Sequence, residues 1–201
     1  MRFNLKRFFQ REKKETLIIV GLGNPGDKYQ DTFHNMGYKV IEALEQKTGV
    51  KCKKAMCSSL VGEFNKDGMR IILAKPVTYM NLSGQAVKSL LARYEADLDD
   101  LIVVYDDIDL PRYQIRARKN GGSGTHNGMK NIVEMVSSGD FMRIRIGIGR
   151  EGSDLKDYVL TKIPKSDMPF FQTSFEKTAD EILSYIEHKD FEKTMRNLNT
   201  N

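Results

Sequence analysis

The 201-residue sequence predicts an α/β fold, a single-domain three-layer sandwich in which helices cover both faces of a twisted mixed sheet. Two wholly apolar runs, residues 17–20 and 101–105, are typical of buried parallel strands. Strand-like runs alternate with helical patterns along the chain, which favours strands connected by helices. An Asp67-Gly68 turn between two strand-like runs predicts a hairpin, so at least one pair of strands is antiparallel.

The elements of the N-terminal half follow from local signals. The first strand is expected at about 16–22 and ends in a glycine-rich loop. The next segment, 36–48, has apolar residues at helical spacing and is followed by Gly49, so it predicts a helix that ends there. The hairpin strands are expected at 58–64 and 69–75.

The C-terminal half is predicted in the same way. A loop at 78–84 enters a helix that runs to about 94, with Ser83 or Asn81 as its N-cap. The second buried strand ends in a loop that begins at Asp106. The remaining expected elements are an edge strand at 113–117, a glycine-rich loop at 120–128 that opens a helix to about 137, a strand at 142–149 with Arg143 and Arg145 on one face, and helices after Pro164.

The positive charge of the chain is unevenly distributed. The net charge is +5, and residues 1–15 contribute six basic and two acidic side chains, or +4. Residues 1–15 are therefore predicted to be a basic N-terminal extension, and 16–201 the folded domain. Between Asp109 and Glu134 there is no acidic residue, but there are five basic ones: Arg112, Arg116, Arg118, Lys119 and Lys130. Such a stretch is either a solvated surface or a phosphate-binding one.

Cysteine content and hydropathy bear on the compartment. Cys52 and Cys57 are too few for a disulfide framework, and their spacing matches no zinc signature. No run approaches 18 apolar residues, and the N-terminus lacks the apolar segment of a secretory signal. We therefore expect a cytoplasmic protein with reduced thiols and no membrane association.

Polar side chains follow several of the predicted strands. They are Asn24, Tyr29 and His34 after the first strand, Asn81 after the hairpin, Asp106 after the second buried strand, and His126 and Asn127 in the glycine-rich loop. Open α/β sheets bind ligands at the carboxyl edge of their strands. An imidazole, a carboxylate and several amides fit hydrolysis by an imidazole-activated water, with an amide holding the oxyanion. No nucleophile elbow or metal-ligand spacing is present, so we expect direct attack by water without a metal or other cofactor.

Other interpretations of these residues stay open at this point. Taken singly, His34 and Asn81 could be helix caps, and Asn24 a turn residue. The three glycines of residues 21–26 also match a dinucleotide-binding loop. However, Pro25 interrupts that loop, and the helix begins about ten residues too late for its N-terminus to face a pyrophosphate. A dinucleotide-dependent oxidoreductase is therefore only a remote alternative.

Five ordered motifs resemble the bacterial-type peptidyl-tRNA hydrolase family over residues 16 to about 195. They are Gly21-Leu22-Gly23-Asn24-Pro25-Gly26 with Tyr29 and Thr32-x-His34-Asn35-x-Gly37, Lys75-Pro76-x-Thr78-Tyr79-Met80-Asn81-x-Ser83-Gly84, Asp106-x-x-Asp109-Leu110-Pro111, Gly122-x-x-x-His126-Asn127-Gly128-Met129-Lys130, and Arg143-Ile144-Arg145-Ile146-Gly147-Ile148-Gly149. The resemblance implies hydrolysis of the ester that joins a peptide to the tRNA 3′ ribose. It also implies a tRNA-binding monomer that acts in translation.

The resemblance implies roles for individual residues. His34 matches the family's general base, Asp106 the acid that holds it, and Asn24 the residue that helps to distinguish N-blocked peptidyl-tRNA from free aminoacyl-tRNA. The other matched positions are the substrate contacts Tyr29, Tyr79, Asn81 and Asn127, and the tRNA phosphate contacts Arg116, Arg118 and Arg145. The main rival is a non-enzymatic RNA-binding relative that acts in RNA processing or ribosome assembly. His34 and Asp106 argue against it.

The chain also departs from the family pattern. Phe33 stands where Arg or Lys is usual, which predicts that a local charge contact is missing. The remaining departures are Ser123 and Thr125 in the glycine-rich loop, Arg112 and Tyr113 in place of a Pro-Gly turn, and Tyr105 and Asp107 in place of His and Glu. None of them changes the proposed base or its acid.

Overall fold

The computed structural model describes residues 15–150 and 154–200, which form an α/β fold around a seven-stranded sheet. The strands are β1 (Thr16–Gly21), β2 (Lys54–Met56), β3 (Ser59–Lys66), β4 (Met69–Pro76), β5 (Leu101–Asp107), β6 (Ile115–Arg118) and β7 (Met142–Gly147). The helices are α1 (Met36–Thr48), α2 (Ser83–Tyr94), α3 (Asn127–Val136), α4 (Leu155–Val159), α5 (Met168–His188) and α6 (Phe191–Leu198). All the predicted strands and helices are confirmed. The elements that were not predicted, β2 and α4, are too short to carry a periodic signal.

The sheet is mixed, as the sequence predicts. Its strand order is β2-β3-β4-β1-β5-β7-β6. The central strands β4, β1, β5 and β7 are parallel, whereas β2–β3, β3–β4 and β6–β7 pair antiparallel. Asp67 and Gly68 form the hairpin turn with φ values of 52° and 81°, the left-handed conformation that a two-residue turn needs.

Helices cover both faces of the sheet, which makes the structure a three-layer sandwich. Alternate residues of β1 enter different cores. Leu17 and Ile19 pack in the core that includes α1, α5 and α6, and Ile18 and Val20 pack in the core that includes α2 and α3. Burial on both faces explains why β1 and β5 are continuously apolar rather than alternating.

Two glycines bring the start of α1 against the end of β1. A Cβ on Gly37 would lie 2.2 Å from the backbone nitrogen of Leu22, and a Cβ on Gly21 would lie 2.2 Å from the carbonyl oxygen of Gly37. Neither position has room for a side chain. This close approach holds the turn before α1, which carries His34, over the carboxyl edge of the sheet.

The predicted N-cap of α2 is wrong. Leu82 occupies the N-cap position and makes no side-chain cap bond. Ser83 instead donates its hydroxyl to the carbonyl of Met80 at 2.8 Å, and Asn81 lies exposed in the 3₁₀ turn before the helix. The capping acceptor comes from α3, because Asn131 Oδ1 accepts the N–H of Gly84 at 2.8 Å.

Two predictions about the ends of segments have different outcomes. Asp106 was expected in a loop, but it lies near the end of strand β5, where it pairs with Ile146 of β7. The basic N-terminal extension predicted for residues 1–15 lies outside the described residues except for Glu15, so it stays a prediction. In the described part of the chain, no helix is both long enough and apolar enough to traverse a bilayer.

Candidate active site

A cleft of about 840 Å³ opens at the carboxyl edge of the parallel strands. Its walls come from the segments that end β1, β4 and β5, from the loop before α3, and from parts of β6, β7 and α4. Eight of the ten predicted site residues line it: Asn24, His34, Tyr79, Asn81, Asp106, Arg118, Asn127 and Arg145. Of the seven polar residues expected to meet at this edge, six line the cleft, because His126 is also among its lining residues and Tyr29 is not.

His34 and Asp106 form a hydrogen-bonded pair in this cleft. His34 Nδ1 lies 2.9 Å from Asp106 Oδ1 and 3.0 Å from Oδ2, and both residues are buried, Asp106 to 1% exposure. A carboxylate accepts hydrogen bonds, so Nδ1 carries the proton and Nε2 is the basic nitrogen of the neutral ring. The arrangement suits a general base held in one tautomer by a carboxylate.

The electrostatics of the pair follow from burial and charge. Burial lowers the pKa of His34, but the negative charge of Asp106 and the hydrogen bond to it outweigh burial and raise that pKa above 6.5. Burial raises the pKa of Asp106, but the interactions with His34 and His126 outweigh it and hold that pKa well below its usual range. Asp106 is thus ionised at neutral pH.

A second imidazole also contacts Asp106, and the sequence did not predict this contact. His126 Nε2 lies 3.2 Å from Asp106 Oδ1. His126 is the N-cap of α3, where its Nδ1 accepts the N–H of Met129 at 3.2 Å. The sequence places His126 and Asp106 at the same edge of the sheet, but no local signal indicates a hydrogen bond between them.

The same three side chains are close enough to share a metal ion. The ligand atoms of His34, Asp106 and His126 lie within 4.8 Å of one another, although spacing in the sequence shows no metal pattern. Their nitrogen–oxygen distances of 2.9 to 3.2 Å are those of hydrogen bonds. The geometry therefore fits a hydrogen-bonded triad.

Asn24 is fixed by three hydrogen bonds. Its Oδ1 accepts the N–H of Met80 at 2.8 Å, and its own N–H donates to Asn35 Oδ1 at 2.8 Å. Asn35 Nδ2 donates back to the carbonyl of Asn24 at 3.0 Å. Because the acceptor of the Asn24 side chain is engaged, its Nδ2 is the group that can donate to a ligand in the cleft.

The predicted arginines lie on two neighbouring strands, Arg116 and Arg118 on the edge strand β6 and Arg145 on β7. Arg118 is exposed and lines the cleft, whereas Arg116 does not line it but lies opposite Arg145 in the β6–β7 register. Arg145 Nη1 bonds to Asp107 Oδ2 at 2.8 Å. Arg143 and Arg145 share one sheet face as predicted, but Arg143 is 2% exposed and has a different set of contacts.

The two predicted tyrosines differ in position. Tyr79 is 58% exposed and lines the cleft. Tyr29 is half-buried in a 3₁₀ turn outside the cleft, and the ammonium of Lys28 lies 4.7 Å from its ring centre. Only Tyr79 can therefore touch a ligand bound within the cleft itself.

The chain is similar to known proteins over most of its length. The family model described as peptidyl-tRNA hydrolase matches residues 18–201. A peptidyl-tRNA hydrolase of Oceanobacillus iheyensis is 42% identical over 184 residues, covering 90% of this chain and 98% of that protein. One of Alkaliphilus metalliredigens is 44% identical over 170 residues, covering 84% and 92%. The crystal structure of the Acinetobacter baumannii peptidyl-tRNA hydrolase superposes with a TM-score of 0.86 at 31% identity, covering 93% of this chain and 96% of that one.

Proposed function

The chain belongs to the peptidyl-tRNA hydrolase family, and we propose that it hydrolyses the ester bond of N-blocked peptidyl-tRNA, releasing the peptide and a free tRNA. The observation that carries this proposal is the buried His34–Asp106 pair in a cleft lined by amides. A non-enzymatic RNA-binding relative would have no need for an ionised carboxylate buried beneath an imidazole, because burying a charge is costly.

His34 acts as the general base. Its Nε2 takes a proton from a water molecule while the water oxygen forms a bond to the ester carbonyl carbon. The tetrahedral intermediate then collapses, the bond to the ribose 3′ oxygen breaks, and the imidazolium returns the proton to that oxygen. Asp106 stabilises the imidazolium in between. General-base help of this kind contributes roughly 10² to 10⁴ in rate.

The amides supply charge stabilisation and selectivity. Asn81 and Asn127 line the cleft, and an amide donor to the developing oxyanion is worth on the order of 3 kcal/mol. Asn24 offers Nδ2 as a donor, which suits the carbonyl oxygen of an acylated amino group. The ammonium of a free aminoacyl-tRNA is itself a donor, so it cannot accept this bond.

The basic side chains bind the tRNA. Arg118 and Arg145 lie in the cleft wall and Arg116 lies next to them, so a phosphate of the acceptor end can bind along β6. Arg145 would share its guanidinium between that phosphate and Asp107. Tyr79 contacts the reacting end of the substrate, and Tyr29 contacts a part of it that extends beyond the cleft.

The cellular setting follows from the substrate. Peptidyl-tRNA arises during translation, so we infer that the enzyme works in the cytoplasm. We also propose that it acts as a monomer, as the resemblance to the family implies.

The direct test compares two substrates that differ at one nitrogen. The purified protein should release tRNA from N-acetyl-aminoacyl-tRNA and leave the matching free aminoacyl-tRNA largely intact. Asn24→Ala should reduce this preference, because the acetyl carbonyl loses its donor. Equal cleavage of both substrates by the wild type would contradict the assigned selectivity, and cleavage of neither would contradict the function.

A further inference from the structure

Asp106 accepts hydrogen bonds from two imidazoles, and the proposed reaction uses only one of them. His34 Nδ1 lies 2.9 Å from Oδ1, and His126 Nε2 lies 3.2 Å from the same oxygen. The two rings lie 4.9 Å apart, centre to centre. The contribution of His126 to the site therefore needs its own explanation.

The backbone of α3 sets the tautomer of His126. The N–H of Met129 donates to His126 Nδ1, so that nitrogen carries a lone pair. The proton of the neutral ring then resides on Nε2, which faces Asp106 as a donor. The rings of Tyr105 and His126 form a T-shaped contact with their centres 5.0 Å apart, which restrains the orientation of His126.

Helix capping alone does not account for a histidine at this position. Asn, Asp and Ser are the preferred N-caps, and each satisfies a helix N–H with a shorter side chain. Histidine adds a second polar atom on the opposite side of the ring. In this structure that atom meets the buried carboxylate of Asp106.

We propose that His126 is a positioning residue, which links the start of α3 to Asp106 and thereby holds the carboxylate in place for His34. This inference rests on the proposed function, because it concerns the same hydrolysis. His126 acts through Asp106 and His34 and exchanges no proton with the substrate. The hydrogen bond from His126 also partly neutralises the charge of Asp106. Asp106 therefore stabilises the imidazolium form of His34 less strongly than it would without His126.

The test separates the two hydrogen bonds of His126. His126→Asn keeps a good N-cap acceptor for Met129 but is too short to bond to Asp106. Its melting temperature should stay near that of the wild type, while kcat falls about tenfold with little change in KM. The acid limb of the pH profile of kcat should move to higher pH by about half a unit, because the charge of Asp106 is then no longer partly neutralised by His126 and stabilises protonated His34 more strongly.

His126→Gln is the matched rescue variant. The glutamine amide nitrogen reaches the position of Nε2 and restores a donor to Asp106. Its kcat and acid limb should therefore return most of the way towards wild-type values. If His126 only caps α3, the kcat of His126→Asn should instead equal or exceed that of His126→Gln.

The surrounding charges stay the same in these variants. The charged groups that share the cleft are Asp107, Asp109, Arg118, Arg145 and Lys156, and Tyr105 contacts the ring of His126. A difference between the pH profiles of the two variants therefore reports the His126–Asp106 bond.

Failure of this inference is distinguishable from failure of the function. If the wild type hydrolyses N-acetyl-aminoacyl-tRNA, His34→Ala does not, and His126→Asn matches the wild type in kcat and pH profile, only the role of His126 is overturned. If the wild type is inactive, the proposed function itself has failed.

Discussion

At the scale of single residues, catalysis depends on the charge states of His34 and Asp106. A base must be neutral to accept a proton, yet Asp106 raises the pKa of His34 and so favours its protonated form. The compensation is that Asp106 also stabilises the imidazolium that forms in the transition state and fixes the productive tautomer. Activity should therefore fall with acidification at a pH above the ordinary histidine value of about 6.5.

Asp106→Asn tests whether Asp106 both raises the pKa of His34 and stabilises its imidazolium in the transition state. Loss of the carboxylate charge should lower kcat by roughly 10² to 10⁴ and move the acid limb of kcat/KM to lower pH, because the interaction that raises the pKa of His34 is gone. The measurement is a pH profile of N-acetyl-aminoacyl-tRNA hydrolysis. Asp99→Asn, at an exposed acid remote from the cleft, is the matched control and should behave as the wild type. An acid limb that stays in place would show that Asp106 does not set the titration of His34.

Phe33 and Arg112, which both depart from the family pattern, are in contact with each other. Phe33 lacks the charge that is usual there, but it packs against Tyr158, and the guanidinium of Arg112 lies 5.5 Å from its ring centre. Arg112, itself a departure, bonds to Asp167 at 2.8 Å. The positive charge therefore comes from a different segment, which a comparison position by position could not reveal.

At the scale of elements, the glycine-rich loop before α3 is held by a buried arginine. Arg143 of β7 donates to the carbonyls of Gly122 at 2.8 Å and Gly139 at 2.7 Å, and its guanidinium lies 4.4 Å from the ring centre of Phe141. This loop leads into His126 and Asn127. Arg143 thus contributes to the site by fixing the loop and not by binding phosphate.

Arg143→Met should be destabilising. It removes the donor to the carbonyl of Gly122 and one of two donors to the carbonyl of Gly139, which keeps the N–H of Gly121 at 3.1 Å. The free energy of unfolding should therefore drop by about 1–3 kcal/mol. Urea denaturation measures this drop, with Arg150→Met at an exposed position as the control. A loss below about 0.5 kcal/mol, the range of ordinary surface substitutions, would show that the loop does not depend on this contact.

The elements that the sequence predicted are those with local signals. Apolar runs predict β1 and β5, and the Asp67-Gly68 turn predicts the β3–β4 hairpin, because each signal lies within the element itself. The cap of α2 was not predictable, since its acceptor is Asn131, 47 positions away from Gly84. The contact of His126 with Asp106 was missed for the same reason, because it depends on where the loop before α3 returns to the sheet.

At the scale of the whole molecule, the fold turns distant residues into one site. His34 and Asp106 are 72 positions apart in the chain, and they meet because β1 and β5 are adjacent parallel strands whose carboxyl ends share one edge. The sequence could predict this meeting from the order of strands and polar loops. It could not predict which arginines would face the cleft, because that depends on the register of β6 against β7.

The role of His34 as the base is tested most directly by comparing the hydrolysis of N-acetyl-aminoacyl-tRNA by two variants, His34→Ala and His188→Ala. His188 is an exposed histidine at the end of α5. His34→Ala should lower kcat by roughly 10² to 10⁴ while the protein remains folded by circular dichroism, because the water loses its base. His188→Ala should retain wild-type turnover. Near-normal release of tRNA by folded His34→Ala would contradict the account of catalysis.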